Sequence, residues 1–413
     1  MKAPQWKITA AATALTALIA GSRTSFGLFL SPINTATGLG MASISLAAAF
    51  GQLAAGLALP FVTALARRHG TGPVIASGAC LLAAGTALVG LANGLLALVF
   101  LMLVVQAAGT AVASNALLLG EVSRRAPAEE RGLASGIVGA GGPAGQLLFA
   151  PLVTLLIARE GWIAALWGIA ALALFALPLS LSFKPRARDL QATPESQAAQ
   201  AAGDALRDQR FWLIAASFGI CGFHVAFLSI HMPGVIEQCG LSTGFAGLWL
   251  AIAGAANMAG SIGIGVLMRC QASAPLLMAI YGLRAASVAL FLIVPPSPVA
   301  LLVFAVSMGA TYMAALPPTA ELLTRSFGVQ RLSTLLGTIM LVHQVGGFAG
   351  AWLGGIAVEH TGGYAPLWLA DMALAGVAAA LQWPLRPAAP PAAPSAACRG
   401  RPVCAARPAR PSA

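Results

Sequence analysis

ITAAATALTALIAGSRTSFGLFL, Ile8–Leu30, decides how the rest of the chain is read. It is apolar over a length that crosses the ~30 Å hydrocarbon core of a bilayer as a helix. It carries one charged residue, Arg23. An arginine held in hydrocarbon costs roughly 2.5–3.5 kcal/mol on insertion scales, so it normally faces protein or water. Two readings stand. Either Arg23 turns into the protein interior, or it snorkels to the headgroups near the end of its helix, since Ser31-Pro32 follow closely. The small residues Gly21 and Ser22 beside it suit close packing against neighbouring helices. The stretch lacks a cleavage site and is too long for a signal peptide, so it is expected to stay in the mature protein.

Composition extends this reading to the whole chain. Of 413 residues, 58% are hydrophobic and only 8% charged, against about 25% charged in soluble domains. Mean hydropathy is +0.85, so lipid is the expected solvent. Twelve apolar spans follow, at about 8–30, 41–66, 72–92, 95–119, 131–157, 161–183, 210–233, 242–268, 274–294, 298–323, 331–357 and 364–385. The expected fold is an all-α membrane protein with twelve transmembrane helices. The six cysteines show no CxxC or Cys/His spacing, so neither a disulfide framework nor a metal site is expected.

The net charge of +11 is a sidedness signal. With the amino terminus in the cytoplasm, all but three of the 23 Lys and Arg residues fall on the cytoplasmic side. The exceptions are Arg159 outside and Arg23 and Arg284 within spans. The positive-inside rule then places both ends in the cytoplasm, and no nucleic-acid partner is expected. The protein is expected to be integral to a membrane, with the lipid bilayer as a partner, and monomeric.

Residues 184–209 turn polar and divide the spans into two sets of six, 1–183 and 210–386. After that, 387–413 is rich in Pro, Ala and Arg, a composition that cannot bury a core, and is expected to be a disordered cytoplasmic tail. The two sets are related. An offset of about 200 residues superposes Gly40 on Gly240, Arg68 on Arg269, Glu121 on Glu321, Arg125 on Arg325, and Arg131 on Arg331. Parallel six-span repeats are the internal symmetry of secondary transporters whose site lies between the repeats.

At these residues the chain resembles the major facilitator superfamily over about residues 8–385. Within it, the chain is similar to bacterial relatives of the monocarboxylate porters. The stretches that carry this are Arg23-Thr-Ser-Phe-Gly-Leu-Phe29, Phe211-Trp212, Cys221-Gly-Phe-His-Val-Ala-Phe227, and His343-Gln-Val-Gly-Gly-Phe-Ala-Gly-Ala-Trp-Leu-Gly-Gly355. The resemblance implies two pseudo-symmetric six-helix bundles and a central cavity lined by spans 1, 2, 4, 5, 7, 8, 10 and 11. There are departures. Arg67 stands where the family's loop after span 2 usually has Asp. Spans 8 and 11 lack the Arg or Lys of some organic-anion porters. Gly142-Pro143-Ala-Gly145 approaches the antiporter motif of span 5 without matching it.

The polar residues away from the ends of those lining spans are the candidate substrate ligands: Arg23, Gln52, Asn115, Gln146, His224, Asn257, Tyr312, His343 and Gln344. Each could equally serve a helix–helix hydrogen bond, worth about 0.6 kcal/mol on average in membranes. His224 and His343 are set at mid-span depth, and histidine is the side chain whose ordinary range lies near neutral pH, which makes them the candidate proton carriers, with a satisfied core histidine as the other reading. His231, near the outer end, reads as a rim residue. Arg284 in span 9 either pairs with Asp371 of span 12 or reaches inward as a further substrate ligand. Glu121–Arg125 and Glu321–Arg325 are i,i+4 pairs and, with Arg131 and Arg331, are candidate gate residues; helix-end electrostatics is the alternative.

A cavity with fixed positive charge and no central carboxylate favours an anion, whose charge offsets the desolvation of the arginine. The expected function is secondary transport of small organic anions, monocarboxylates first, by alternating access, as symport or antiport and with proton coupling possible. Efflux of drugs or other small molecules is the rival within transport, and a non-transporting membrane sensor or scaffold the rival from another class. No nucleophile–base motif, phosphate loop or metal cluster is present in the sequence, so an enzyme is not expected, and no cofactor is implied.

Overall fold

Span 1 does not stop at Leu30. In the computed structural model, which describes residues 3–127, 130–183, 203–328 and 331–386, an α-helix over Ala3–Thr24 passes into a 3-10 turn at Phe26–Phe29 and resumes over Leu30–Thr37. It ends at Gly38 in the left-handed region (φ 66°). The apolar run is therefore Trp6–Thr37, and Thr37 lies roughly 20 Å beyond Arg23 at 1.5 Å per residue. Arg23 stands in mid-span, and the snorkelling reading falls. Most of the linker, from 184 to 202, and the tail from 387 lie outside the described residues.

Every regular element among the described residues is helical. Eleven helices are long and apolar enough to cross a membrane. One of them, Arg131–Ser180, has 50 residues, roughly 75 Å and more than twice a bilayer core of ~30 Å. It leaves helical geometry at Gly161 (φ 83°, ψ 166°), so spans 5 and 6 are both present, joined at one glycine. The others follow the expected order. Span 2 is Met41–His69, span 3 Thr71–Val89, span 7 Gln209–Gln238, span 8 Thr243–Leu267, span 9 Ser273–Ile293, span 11 Leu332–Thr361 and span 12 Ala365–Leu381.

Spans 4 and 10 are each broken. Span 4 runs Leu95–Ala113 and Asn115–Arg125; span 10 runs Pro298–Tyr312 and Leu316–Phe327. In span 4 the break is Ser114 (φ −74°, ψ 135°), whose hydroxyl accepts from Leu117 N and restarts the helix as its cap. In span 10 the cause is Pro317-Pro318, which have no N–H to give to carbonyls one turn back. The two breaks sit about 200 residues apart, at equivalent places in the repeat.

Apolar packing divides the same way. One buried cluster draws only on residues 8–183 and another only on 205–385, while a third joins both sets. Within each set, corresponding helices meet by glycine. Gly145 of span 5 lies on the Ala17 carbonyl of span 1, and Gly346 of span 11 on the Gly219 carbonyl of span 7. A side chain at either place would force the helices apart. Between the sets, span 2 packs on span 11 and span 5 on span 8.

At one end of the molecule the two sets are tied closely. The turn Phe26–Phe29 of span 1 packs on span 7, with Gly27 against the Ser229 and Ile230 carbonyls. The N–H of Ala42, at the start of span 2, donates to Glu359 Oε2 of span 11 at 2.7 Å. The opposite end carries the basic helix ends, Arg67–Arg68, Arg124–Arg125 and Arg325.

Candidate functional site

Arg23 occupies the last turn of the first helical segment of span 1. The carbonyl end of a helix carries partial negative charge, which favours a cation there. The neighbouring hydroxyls are satisfied locally: Ser22 donates to the Leu18 carbonyl and Thr24 to the Ala20 carbonyl. Arg23 Nη2 donates to Gln52 Oε1 of span 2 at 3.1 Å. Gln52 is held in turn, its backbone carbonyl accepting from Gln344 Nε2 of span 11 at 3.0 Å. His343 Nδ1 lies 3.3 Å from Gln344 Oε1, and its ring packs at a tilt on Phe218 of span 7 with centroids 4.8 Å apart. Tyr312, at the broken end of span 10, is an electrostatic neighbour of Arg23 and donates its hydroxyl to the Val225 carbonyl at 3.3 Å.

Arg23, Gln52, Gln344, His343 and Tyr312 therefore meet where the two sets of spans face each other. Arg23, Gln52, Gln344 and His343 are half-buried. The hydrogen-bond partner of Arg23 is a neutral amide, and no carboxylate pairs with it among the described residues. A guanidinium is always protonated and presents a planar fork of donors, so this site keeps a permanent, partly unsatisfied cation.

Arg23 also borders a cavity inside the first set, between spans 1, 3, 4 and 6, with Ser22, Thr86 and Gln106 among its polar lining. The cavity measures ≈ 40 Å³, room for roughly three waters. That is too small for a carboxylate with its own hydration. Gln106 Oε1 is buried there without a protein partner, a place for water.

Three sequence-predicted ligands take other partners. Arg284 is 1% exposed. Its Nη2 donates to the Thr311 and Tyr312 carbonyls, its Nε to Thr311 Oγ1 at 3.3 Å and its Nη1 to Cys221 Sγ at 3.2 Å. The break in span 10 leaves helix-end carbonyls unpaired, and Arg284 fills that need. It neither pairs directly with Asp371 nor turns to the interface. Asp371 instead takes His224: Nδ1 lies 2.8 and 2.7 Å from the two carboxylate oxygens, and Nε2 lies 3.2 Å from Met308 Sδ. His224 is 2% exposed and faces spans 10 and 12, away from the interface site. Asn257 is buried and accepts from Met313 N at 3.2 Å, another tie at the span 10 break. Gln146 is buried against Gly254 of span 8. Asn115 opens the second segment of span 4; its side chain lies outside the described residues.

His231 is also corrected. It is fully buried, not at a rim, and Nε2 donates to the Ala351 carbonyl at 2.7 Å. The aromatic rings of Phe227 and Tyr364 enclose it, which its distance from the end of span 7 did not reveal.

The Glu121 and Glu321 pairs stay within their own sets. Glu121 is 2% exposed and binds Arg125 at 2.9 Å, Arg124 at 2.6 Å and the Thr71 hydroxyl at 2.6 Å. It thereby joins the end of span 4 to the start of span 3, where the helix N-terminus favours a carboxylate. Glu321 binds Arg325 at 2.6 Å in an exposed pair. Arg131 Nε donates to the Ala126 carbonyl at 3.2 Å, and Arg331 precedes span 11. Residues the sequence reading passed over are Gln106, Thr71 and Glu359. A carboxylate three residues before Gly362 gives no sign that it reaches Ala42.

Twelve apolar spans, two of them broken at equivalent depths, around an interfacial cation define an integral membrane protein. The model of the Major Facilitator Superfamily matches residues 12–351, and the chain belongs to that superfamily. Monocarboxylate transporter 13 of Rattus norvegicus is 26% identical over 357 residues, covering 85% of this chain and 81% of the relative. Among solved structures, the nucleoside transporter NupG aligns with a TM-score of 0.76 at 14% identity, covering 93% of this chain and 99% of that one. The xylose transporter XylE from E. coli, inward open, aligns at 0.74 with 17% identity over 93% and 96%. A bacterial homologue of the human lysosomal transporter Spinster, inward-facing and unoccupied, aligns at 0.68 with 16% identity over 92% and 95%. At these identities the structures speak for the fold alone.

Proposed function

We propose that this protein is a secondary carrier of small organic anions, monocarboxylates first, working by rocking of two six-helix bundles, 1–183 and 210–386, about the site at Arg23. The observation that carries the reading is a permanently charged guanidinium at the bundle interface whose hydrogen-bond partner among the described residues is a neutral amide. A carboxylate guest supplies the missing charge through two parallel hydrogen bonds. Gln52, Gln344, His343 and Tyr312 stand where they orient it. The named function of the rat relative, a monocarboxylate transporter, agrees with this choice.

The basic helix ends face the cytoplasm on the positive-inside rule, which puts both chain ends there, in a bacterial inner membrane. The end tied by Gly27 and Glu359 is then the outer one, and the conformation is closed outward. Glu121 with Arg125 and Arg131, and Glu321 with Arg325 and Arg331, stand at the cytoplasmic ends that must approach when the carrier turns outward.

The test is uptake of labelled pyruvate, lactate and oxalate into proteoliposomes. Arg23→Gln should weaken binding of the transported anion by more than about tenfold, equivalent to about 1.4 kcal/mol. Arg23→Lys, which keeps the charge and loses the fork, should fall between. The amount of folded protein in the membrane is the control. Near-normal affinity in Arg23→Gln removes the anion assignment; uptake of apolar cations in place of the panel favours efflux of other small molecules.

A further inference from the structure

The second set of spans holds a buried acid–base pair that the anion site does not use. Asp371 and His224 are 1% and 2% exposed, far from either helix end. The static reading is a hydrogen bond that fixes span 7 against span 12, and such pairs often add little net stability. The donor inventory argues for more.

His224 uses both ring nitrogens. Nδ1 faces the Asp371 carboxylate at 2.7–2.8 Å and Nε2 faces Met308 Sδ at 3.2 Å. A carboxylate oxygen and a thioether sulfur are both acceptors. A neutral imidazole has one N–H, so beside an ionised Asp371 one of the two contacts would set lone pair against lone pair. Both contacts are favourable only when the pair holds one further proton. That proton either makes His224 an imidazolium or sits on Asp371 and is donated to Nδ1, leaving Nε2–H for the sulfur. The two arrangements have the same proton count. The geometry is that of a proton-loaded pair.

Other titratable and charged groups surround the pair. Arg284, an electrostatic neighbour of Asp371, and Tyr281 lie on span 9, Cys221 and His231 on span 7, Tyr312 on span 10 and His343 on span 11. Arg284 stays protonated in proteins, and it is the fixed charge balancing Asp371 when His224 is neutral. Glu237, Glu359 and the Glu321–Arg325 pair stand at helix ends, and span 8, Thr243–Leu267, brings no charged residue.

The pair also touches the turn of span 10 that ends at the anion site. Met308 and Tyr312 are one helical turn apart, and Tyr312 donates to the carbonyl of Val225, the residue after His224. Arg284 holds the Thr311 and Tyr312 carbonyls between them. Loss of the proton turns the Met308 contact from attractive to repulsive on the segment that presents Tyr312 to Arg23.

We propose that Asp371 and His224 form the coupling-proton site of this carrier, one proton bound and released per cycle, set apart from the anion anchor and linked to it through span 10. The proposal rests on the anion reading above. One monocarboxylate and one proton move together, so the cycle carries no net charge, and each favours binding of the other by the same factor.

Two measurements on the full-length purified protein test it. The first needs no substrate. Infrared difference spectra between acidic and alkaline buffer should show carboxyl and imidazole bands in the wild type that vanish in both Asp371→Asn and His224→Gln. Wild-type spectra without such bands, or bands unchanged in both variants, overturn the proton site whatever the protein transports. The second uses pyruvate in proteoliposomes. Both variants should keep pyruvate counterflow within about twofold, because exchange needs no net proton release, and lose at least tenfold in accumulation driven by a pH gradient. A merely structural pair would depress the two together or neither, and that result also overturns the proposal. If the wild type moves no pyruvate, the anion reading fails on that count and the infrared bands decide the proton site alone.

Discussion

The two sets of six spans share a plan and differ in what they bury. Both close spans 1–5 and 7–11 by glycine on a carbonyl, and both break the fourth span of the set at the same depth. In the first set a serine cap serves the break. In the second a guanidinium from span 9 reaches the open carbonyls. Glu121 is buried and triply held, whereas its counterpart Glu321 is an exposed single pair. Asp371, His224 and Arg284 all lie in the second set, and the residues about 200 places earlier are Ala171, Thr24 and Ala84. The lesson is a division of labour. The first set supplies a half-exposed cation at the interface, and the second supplies a buried ionic network behind it.

The strongest way to break this comparison is Arg284→Leu against Ala84→Leu. Removing Arg284 strands the Thr311 and Tyr312 carbonyls, and stranded buried groups cost about 1–3 kcal/mol each. A loss of about 3 kcal/mol or more, read as thermal unfolding in detergent, is expected. Ala84 is exposed, and its substitution should stay within about 0.5 kcal/mol. Similar losses at both places would mean that the sets bear load alike.

Glu121→Gln against Glu321→Gln sharpens the same contrast. The first leaves two arginines sharing a neutral amide in a buried place and should cost about 2 kcal/mol. The second breaks an exposed pair and should cost under about 1 kcal/mol. Equal costs would show that burial of Glu121 adds nothing.

The smallest effect is expected at the tie between the sets. Glu359→Ala removes a carboxylate from the N-terminus of span 2, an exposed interaction worth about 0.3–1 kcal/mol. It should raise the outward-opened population about twofold, seen as longer distances between spin labels at Leu39 and Gln238. An unchanged distance distribution would assign closure at that end to apolar packing around Gly27.

Much of the fold was legible because hydrophobicity and sidedness are properties of local sequence. The run Ile8–Leu30, the polar stretch after Lys184 and the repeated Glu121/Glu321 pattern needed no partner to be read. The site was legible in part. Arg23, Gln52, Gln344, His343 and Tyr312 do meet at the interface, since each is a polar residue that an apolar helix must turn towards protein. His224, Arg284 and Asn257 lie elsewhere because a polar residue can also turn towards a neighbour in its own bundle, while Gln146 packs between the sets, on Gly254.

By itself the sequence determined a membrane solvent, twelve crossings, an internal repeat and the gathering of the basic helix ends at one end of the molecule. These follow from lengths, hydropathy and the placement of charge along the chain. Tertiary structure alone decided that span 1 continues to Thr37, that Asp371 answers His224 and not Arg284, and that Glu359 reaches Ala42. The reason is that such helices are apolar almost all round, so their sequence does not mark which face turns to which neighbour. Only packing fixes that rotation, and with it the partner of each buried charge.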